Sequence, residues 1–309
     1  MTLQQLRYVT TVAEAGTISG AAKELFISQP SLTTAIQELE KELGITIFLR
    51  TNRGVVLSRE GEEFLGYARQ ILMQTQLLEE RYGRESTHKQ EFSVSSLHYN
   101  FAARAFAQIV QKLGGERYTM TFRETNTYEV IEDVRLLRSE VGVLLMTEQN
   151  REVMCRLFKE GDLRYTELTE KDAVIYVSHD HPLAGRSAVT EADLAPYPCL
   201  TFEQGRHNAL FFSEDVSKPA ITPRHIVVRD RATANDFTRE LQAYQVSAGL
   251  DDADSFRLYR SVKLNLQPRR KVSLGYIVRE QMLLSPMAQA FITAMEQMIT
   301  KQDEKTDIE

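Results

Sequence analysis

Three short helical segments, each bounded by a residue that can cap a helix, follow one another at the start of the chain. Gly16 ends the first segment, and Thr17 and Ser28 can cap the next two, because their hydroxyl oxygens accept hydrogen bonds from free N–H groups. Pro30 fits the first turn of the third helix, and Gly44 ends that helix. Apolar residues recur at helical spacing at Leu3, Leu6, Val9 and Ala13, at Ile18, Ala21, Ala22 and Leu25, and at Leu32, Ile36, Leu39 and Leu43.

A β-hairpin and one long helix are predicted next. Apolar residues alternate over 45–49, a turn follows at 51–54, and a second apolar run covers 55–57. Residues 59–82 read as a single helix with a heptad-like stripe, which favours dimerisation over packing on its own domain. The polar segment 83–90 is predicted to be a hinge. The stripe residues are Phe64, Ala68, Ile71, Thr75 and Leu78.

The outward face of the third helix carries hydroxyl and amide groups, which can read base edges in the major groove of DNA. Arg50 and Arg53 on the hairpin can reach flanking phosphates. Charge does not add to this prediction, since the chain has a net charge of −6 and its first sixty residues carry six basic and six acidic side chains. On polarity alone, a solvated helix face is an equal alternative. The predicted DNA-contacting residues are Ser28, Gln29, Ser31, Thr33, Thr34, Gln37, Arg50 and Arg53.

This N-terminal pattern resembles the LysR-type transcriptional regulators. The run Ser28-Gln29-Pro30-Ser31-Leu32, followed by Ile36 and Leu39-Glu40, is the most specific part of the resemblance, and Gly61 and Phe64 match the start of the linker helix. Many family members carry arginine in the recognition helix where this chain has Thr33, Thr34 and Gln37, which predicts a shallower salt dependence of DNA binding. Other matching positions are Leu6, Ala13, Gly16, Ser19, Ala21, Ala22, Leu25, Leu43, Gly44, Phe48, Arg50, Leu57 and Ser58.

The resemblance implies an α/β protein with an α-rich N-terminal winged helix-turn-helix, a long linker helix and a two-lobed, Rossmann-like effector-binding domain. It implies a sequence-specific regulator of transcription that binds double-stranded DNA and a small-molecule effector, forms a homodimer and a homotetramer, and has RNA polymerase as a further partner. No enzymatic activity or cofactor is implied. The expected domains are 1–58 for DNA binding, 59–88 for the linker, and 89–309 for effector binding, with one lobe at about 91–161 and 268–300 and the other at about 162–267.

The remaining chain alternates strands and helices, as a parallel α/β sheet requires. Its length predicts about two domains, and 42% hydrophobic residues exclude a disordered chain. The predicted strands are 92–96, 120–123, 141–146, 173–177, 199–200, 225–228, 246–250 and 274–278. The predicted helices are 101–113, 127–138, 190–194, 207–215, 231–242 and 285–298, followed by a disordered tail at 301–309.

Ligands of such sheets bind at the carboxyl ends of strands, beside helix N-termini. Several polar turns are placed there, and the resemblance implies that they hold a small anion such as a carboxylate. For any single residue, ordinary helix capping is an equal alternative, and the convergence of several turns favours the site. The predicted effector-binding residues are Ser95, Ser96, His98, Asn100, Thr125, Thr127, Thr147, Thr201, Phe202 and Gln204.

Other candidates are weaker. His179, Asp180 and His181 lie too close together in sequence to converge on a metal, and no metal site is predicted. Cys155 and Cys199 leave open a redox-responsive regulator, although single buried cysteines are common. An α/β enzyme with a helical appendage and a ligand-independent adaptor are further alternatives. Two cysteines, no apolar signal-peptide core and no long apolar run predict a cytoplasmic protein without a membrane partner.

Overall fold

The computed structural model describes residues 1–52, 54–82, 90–114, 118–204, 224–250 and 260–306. They form two compact units, the first comprising Met1–His88 with Arg135–Leu137 and the second the rest of the chain. Arg53, most of the predicted hinge, the predicted helix 207–215 and residues 307–309 lie outside the described residues.

The first unit opens with three helices that begin and end where local signals predict. They are α1 (Leu3–Ala15), α2 (Ile18–Glu24) and α3 (Gln29–Leu43). The Thr17 hydroxyl accepts a hydrogen bond from the Gly20 N–H, and the Ser28 hydroxyl accepts one from the Ser31 N–H at 3.2 Å. Gly16 and Gly44 end α1 and α3 in the left-handed conformation, with φ of 64° and 70°. The predicted capping of all three helices is confirmed.

The hairpin consists of β1 (Phe48–Thr51) and β2 (Gly54–Leu57), which pair antiparallel, and α4 (Arg59–Tyr82) follows it. The first strand begins at Phe48, later than the apolar alternation predicted. The reason is that the Glu40 carboxylate accepts the N–H groups of Ile47 and Phe48, at 2.6 and 3.0 Å, and so joins this segment to α3. The hairpin is therefore attached to the recognition helix.

The predicted dimerisation stripe on α4 divides into two parts. Phe64 packs against the core of its own unit, and Ala68 is only 1% exposed. Ile71 is 38% exposed and Leu78 is 62% exposed. The Thr75 hydroxyl donates to the Ile71 carbonyl oxygen at 2.9 Å. The alternative of packing on its own domain thus holds for the first two positions, and the later ones leave an apolar surface.

Phe26, in the turn between α2 and α3, has a backbone φ of 55° and a side chain that is 95% exposed. Left-handed backbone is strained for a bulky residue and well tolerated by asparagine. We expect Phe26→Asn to raise the free energy of unfolding by about 1 kcal/mol, measured by chemical denaturation of the full chain. Phe26→Ala removes the same ring but keeps a strained Cβ, so it should stabilise less. Equal gains from both variants would contradict the role of backbone strain.

The second unit contains two sheets. The first sheet has the order β4-β3-β5-β13-β6, and its first three strands are parallel, as the βαβαβ pattern predicted. Its strands are β3 (Gln90–Ser96), β4 (Tyr118–Glu124), β5 (Val141–Thr147), β6 (Leu163–Asp172) and β13 (Lys271–Arg279). Its helices are α5 (Asn100–Leu113), α6 (Thr127–Arg135), α7 (Arg151–Glu160) and α10 (Pro286–Thr306).

The second sheet has six strands in the order β10-β9-β11-β7-β12-β8, with parallel and antiparallel pairs. Its strands are β7 (Val174–Ser178), β8 (Ala188–Thr190), β9 (Cys199–Phe202), β10 (His225–Val228), β11 (Tyr244–Ser247) and β12 (Ser261–Gln267). The helices α8 (Glu191–Leu194) and α9 (Arg231–Glu240) accompany it. We call each sheet with its helices a lobe.

Several predicted boundaries are wrong. The last helix continues to Thr306, so most of the predicted disordered tail is helical. The strand predicted at 246–250 lies at Tyr244–Ser247, where it pairs with β7 and β9. Helices α6 and α9 end at Arg135 and Glu240, earlier than expected. Strand β6 pairs with β13, so the first lobe extends to Asp172, beyond the boundary expected at about 161.

Four elements were not predicted at all: α7, β6, β8 and β12. Strand β6 has eight charged or hydroxyl-bearing side chains in ten residues and occupies an edge of its sheet, so it lacks an apolar run. Helix α7 buries only Met154 and Phe158. None of the described helices combines the length and apolar character needed to cross a membrane.

Candidate functional site

The exposed face of α3 is polar along most of its length. Gln29, Thr34 and Gln37 are exposed, whereas Leu32, Ile36 and Leu39 on the opposite face are buried. The Thr33 hydroxyl donates to the Gln29 carbonyl oxygen at 2.9 Å. The hydroxyls of Ser28 and Ser31 lie 2.7 Å apart in the helix cap. The amides of Gln29 and Gln37 and the Thr34 hydroxyl are therefore among the side chains that α3 presents outward.

The β1–β2 hairpin carries an exposed cation and is joined to the three N-terminal helices. Arg50 is exposed on β1, opposite Val55 of β2. The Val55 N–H donates to the Gly16 carbonyl oxygen at 2.9 Å, so the hairpin is tied to the end of α1. Gly54 has a φ of 139°, and a Cβ there would lie 2.3 Å from the Gly16 carbonyl oxygen, so this close approach requires glycine. The hairpin has the position of a wing.

In the second unit, two predicted effector-binding residues, Ser95 and Ser96, make buried hydrogen bonds within the first lobe. Ser95 is fully buried, and its hydroxyl donates to Asp133 Oδ2 at 2.5 Å and lies 2.8 Å from the Ser139 hydroxyl. Ser96 is also fully buried and donates to the Leu97 carbonyl oxygen at 2.7 Å. Their hydroxyls are engaged within the first lobe, and this corrects the expectation that they face a ligand.

The threonines of the neighbouring turns are buried or make contacts within the first lobe. Thr125 contacts the Glu129 carboxylate, and Thr127 is only 1% exposed. Thr147 and Asn150 exchange two hydrogen bonds, with the Asn150 side chain accepting the Thr147 N–H at 2.8 Å. These contacts engage Thr125 and Thr147 within their own turns, and α6 is capped by Asn126, whose side chain accepts the Glu129 N–H at 3.0 Å.

Three of the other predicted residues make contacts between the two lobes, namely His98, Asn100 and Phe202. The rings of His98 and Phe202 stack with centroids 3.7 Å apart and planes 5° apart, and His98 Nε2 lies 3.3 Å from the Arg229 carbonyl oxygen. Asn100 accepts a hydrogen bond from Arg231. Gln204 is 7% exposed. Thr201 is half-buried on β9 beside Phe202.

An ion pair at this junction was missed by sequence reasoning. Arg231 Nη2 lies 2.5 Å from Glu124 Oε1, and the two side chains are 24% and 25% exposed. Glu124 ends β4 in the first lobe, and Arg231 is the first residue of α9 in the second. A cation in the first turn of a helix opposes the helix dipole, so it needs a partner elsewhere. The position of Arg231 in the first turn of a predicted helix was therefore the sequence signal that could have revealed the ion pair.

His181 lies in the loop after β7, and its ring makes contacts inside the second lobe. It is 4% exposed, its Nδ1 accepts the Leu183 N–H at 3.1 Å, and its Nε2 lies 3.1 Å from the Gln242 carbonyl oxygen. These contacts suit a neutral ring, and burial lowers the pKa of His181 below 6.5. Across the described residues there is no group of three His, Cys, Asp or Glu side chains that could hold a metal.

This buried ring predicts a pH dependence of stability. The unfolded chain binds a proton at His181 near pH 6.5, and the folded chain binds it only at lower pH. Stability should therefore fall as pH drops below 6.5, by up to about 1.4 kcal/mol per pH unit. We expect His181→Gln to flatten this part of the profile of unfolding free energy against pH. His179→Gln, which removes an exposed ring from the same loop, should leave it steep, and an identical slope in both variants would refute the assignment.

Cys155 is exposed on α7 and Cys199 is buried on β9, and neither forms a disulfide bond. They belong to different lobes.

Known proteins match both units. Residues 3–62 match the family model described as bacterial regulatory helix-turn-helix protein, lysR family, and residues 117–299 match that of the LysR substrate binding domain. The RuBisCO operon transcriptional regulator of Allochromatium vinosum is 30% identical over 310 residues, covering 94% of each chain. A full-length OxyR variant from Pseudomonas aeruginosa is similar in fold, with a TM-score of 0.66, 19% identity and 97% of each chain covered. CbnR in complex with its target DNA gives a TM-score of 0.57 at 22% identity, over 96% of this chain and 100% of that one.

Proposed function

The chain belongs to the LysR family of bacterial transcriptional regulators, and from this premise we propose how it reads DNA and responds to a ligand. The observation that carries the proposal is the exposed polar face of α3, presented by a capped helix beside a wing. We propose that α3 enters the major groove, where Gln29, Thr34 and Gln37 contact base edges. Arg50 contacts a flanking phosphate and sets the register.

Dimerisation places two such helices on one DNA site. The exposed apolar residues Tyr67, Ile71 and Leu78 are spaced four and seven residues apart along α4, which suits a helix-to-helix contact with a second copy. Two-fold symmetry then requires two half-sites separated by about one turn of DNA, or a multiple of it. A tetramer, contacts with RNA polymerase, a cytoplasmic location and the absence of catalytic turnover are parts of the same proposal, supported by the relatives that are named as transcriptional regulators.

A small-molecule effector binds where the lobes meet, at the carboxyl ends of β3, β4 and β9. Contacts from His98, Phe202, Glu124 and Arg231 bridge the lobes there, so a ligand that exchanges with them favours a different arrangement of the lobes. The ligand shifts the equilibrium only by the difference between its affinities for the two arrangements. Regulation follows if the two arrangements differ in their affinity for DNA.

Substitutions on α3 and the wing test this proposal. A binding site is first selected from a random double-stranded DNA library with the full-length protein. We expect Gln29→Ala to weaken binding to this site by about 1–3 kcal/mol and to relax its sequence preference. Arg50→Gln should weaken binding to all sequences and lower the slope of log affinity against log salt by about 1.

Gln4→Ala is the matched control, because it removes an exposed glutamine from α1. It should bind the selected DNA as the wild type does. If Gln29→Ala and Gln37→Ala both keep the wild-type affinity and sequence preference, α3 is not the helix that reads the bases.

A further inference from the structure

The ion pair between Arg231 and Glu124 joins the two lobes at the place proposed for the effector. Arg231 Nη2 lies 2.5 Å from Glu124 Oε1, and about three quarters of each side chain is shielded from water. Arg231 also donates to the Asn100 side chain, which begins α5 in the first lobe. One guanidinium of the second lobe is thus held by an acid and an amide of the first.

This junction contains polar atoms whose hydrogen-bonding capacity is not used by the part of the chain that the structure describes. Arg231 Nε is buried and has no acceptor there. The Gln204 side chain, 7% exposed, donates from its nitrogen to the Phe202 carbonyl oxygen at 3.1 Å, and its Oε1 has no donor among the same residues. Buried polar groups are normally paired, so these atoms leave hydrogen-bonding capacity that a polar ligand can use.

The charges restrict what that ligand can be. A simple anion that took Arg231 would leave the Glu124 carboxylate without its cation in a largely buried place, which is strongly unfavourable. A simple cation bound to Glu124 would likewise leave Arg231 unpaired. A molecule that carries both charges replaces both halves of the ion pair and leaves neither side chain unsatisfied.

We propose that the junction binds a small zwitterion of the α-amino acid type, whose carboxylate pairs with Arg231 and whose ammonium group pairs with Glu124. The inference rests on the proposed effector site and specifies its ligand class. Because these two residues contact each other directly across the lobes, insertion of the zwitterion between them replaces a direct contact with a longer, ligand-mediated one. Ligand binding and lobe arrangement are therefore coupled.

Matched sets of probes test the proposal on the full-length protein by thermal unfolding. Each set holds an amino acid, the acid without its α-amino group and the amine without its α-carboxylate. Examples are L-leucine with 4-methylpentanoate and isopentylamine, and L-phenylalanine with 3-phenylpropionate and phenethylamine, and the sets extend over all proteinogenic side chains. We expect at least one amino acid to raise the melting temperature by about 5 °C at a hundredfold excess over its Kd, and its two partners to have little effect.

Variants assign the effect to the ion pair. Glu124→Gln should bind the amino acid and its deaminated acid about equally, since only the ammonium partner is lost, and a merely structural role would not produce this change. The double variant Glu124→Gln/Arg231→Gln removes both charges together, leaves no buried unpaired ion and should respond to no probe. Arg229→Gln is the matched control, because it breaks a neighbouring, mostly exposed ion pair with Glu203 and should respond as the wild type does.

Three outcomes overturn the inference. In the first, a deaminated acid raises the melting temperature of the wild type as much as its amino acid does. In the second, Arg229→Gln loses the response to the same extent as the double variant. In the third, no amino acid shifts the melting temperature. Binding of the wild type to its selected DNA is measured alongside. Specific DNA binding with a silent panel rejects the zwitterion and leaves the proposed regulator intact, whereas loss of specific DNA binding rejects the proposed function itself.

Discussion

Gly61→Ala should lower the free energy of unfolding of the N-terminal unit by about 3 kcal/mol and abolish specific DNA binding. A Cβ at this position would lie 2.1 Å from the Ile47 carbonyl oxygen and 2.9 Å from the Ile47 carbonyl carbon. Both obstacles are backbone atoms, so no side-chain rotation relieves the clash. Overpacking normally costs about 1–3 kcal/mol, and a rigid obstacle places this site at the upper end.

We expect Gly61→Ala to impair DNA binding as well as stability, because Ile47 is fully buried in the core that joins α1, α3 and α4. Its carbonyl oxygen also accepts the Ser58 N–H at 3.0 Å, just before α4 begins. If the start of α4 moves away from Ile47, the wing is displaced, because β1 begins at Phe48, directly after Ile47. Thermal unfolding and affinity for the selected DNA measure the two effects.

Gly66→Ala provides the control within the same helix. A Cβ there meets no atom closer than 3.9 Å, and alanine favours a helix over glycine by about 1 kcal/mol. This variant should be at least as stable as the wild type. A Gly61→Ala protein with unchanged melting temperature and DNA affinity would show that the Ile47 backbone yields at little cost.

The N-terminal unit could be predicted from the sequence because its signals are local. Thr17 and Ser28 each cap a helix through an N–H three residues away, and Gly16 and Gly44 end helices by their own backbone conformation. Such contacts depend on spacing alone. The delayed start of β1 was missed because it depends on Glu40, whose carboxylate reaches seven and eight residues along the chain.

The effector site was only partly predictable, since it depends on how strands pack. Ser95 follows the polar pattern of a ligand-binding turn, but its hydroxyl is taken by Asp133, 38 residues away. His98 and Phe202 were both placed in the site, and only the packing of the two lobes brings their rings into contact. Arg231 meets Glu124 across the same junction, and no spacing rule joins residues so far apart in sequence.

Asp133 is a buried acid of the first lobe whose carboxylate contacts three side chains, and its removal should be costly. It is 3% exposed, and its Oδ2 accepts hydrogen bonds from Ser95 at 2.5 Å and from Arg123 at 2.7 Å. Its Oδ1 lies 2.8 Å from Arg138 Nε. The carboxylate thus connects α6 to β3, to β4 and to the segment before β5.

We expect Asp133→Ala to lower the free energy of unfolding of the second unit by about 3 kcal/mol. Loss of a buried partner costs about 3–5 kcal/mol, and we take the lower end because Arg123 and Arg138, 42% and 41% exposed, can turn to water. The fully buried Ser95 hydroxyl cannot, and it loses its acceptor. Asp133→Asn keeps one acceptor oxygen and should lose less.

Asp236→Ala is the control at the surface. It breaks an exposed ion pair with Arg239 and should cost under about 1 kcal/mol. Chemical denaturation of the three variants measures this order, and equal losses from Asp133→Ala and Asp236→Ala would mean that the buried network contributes no more than a surface ion pair.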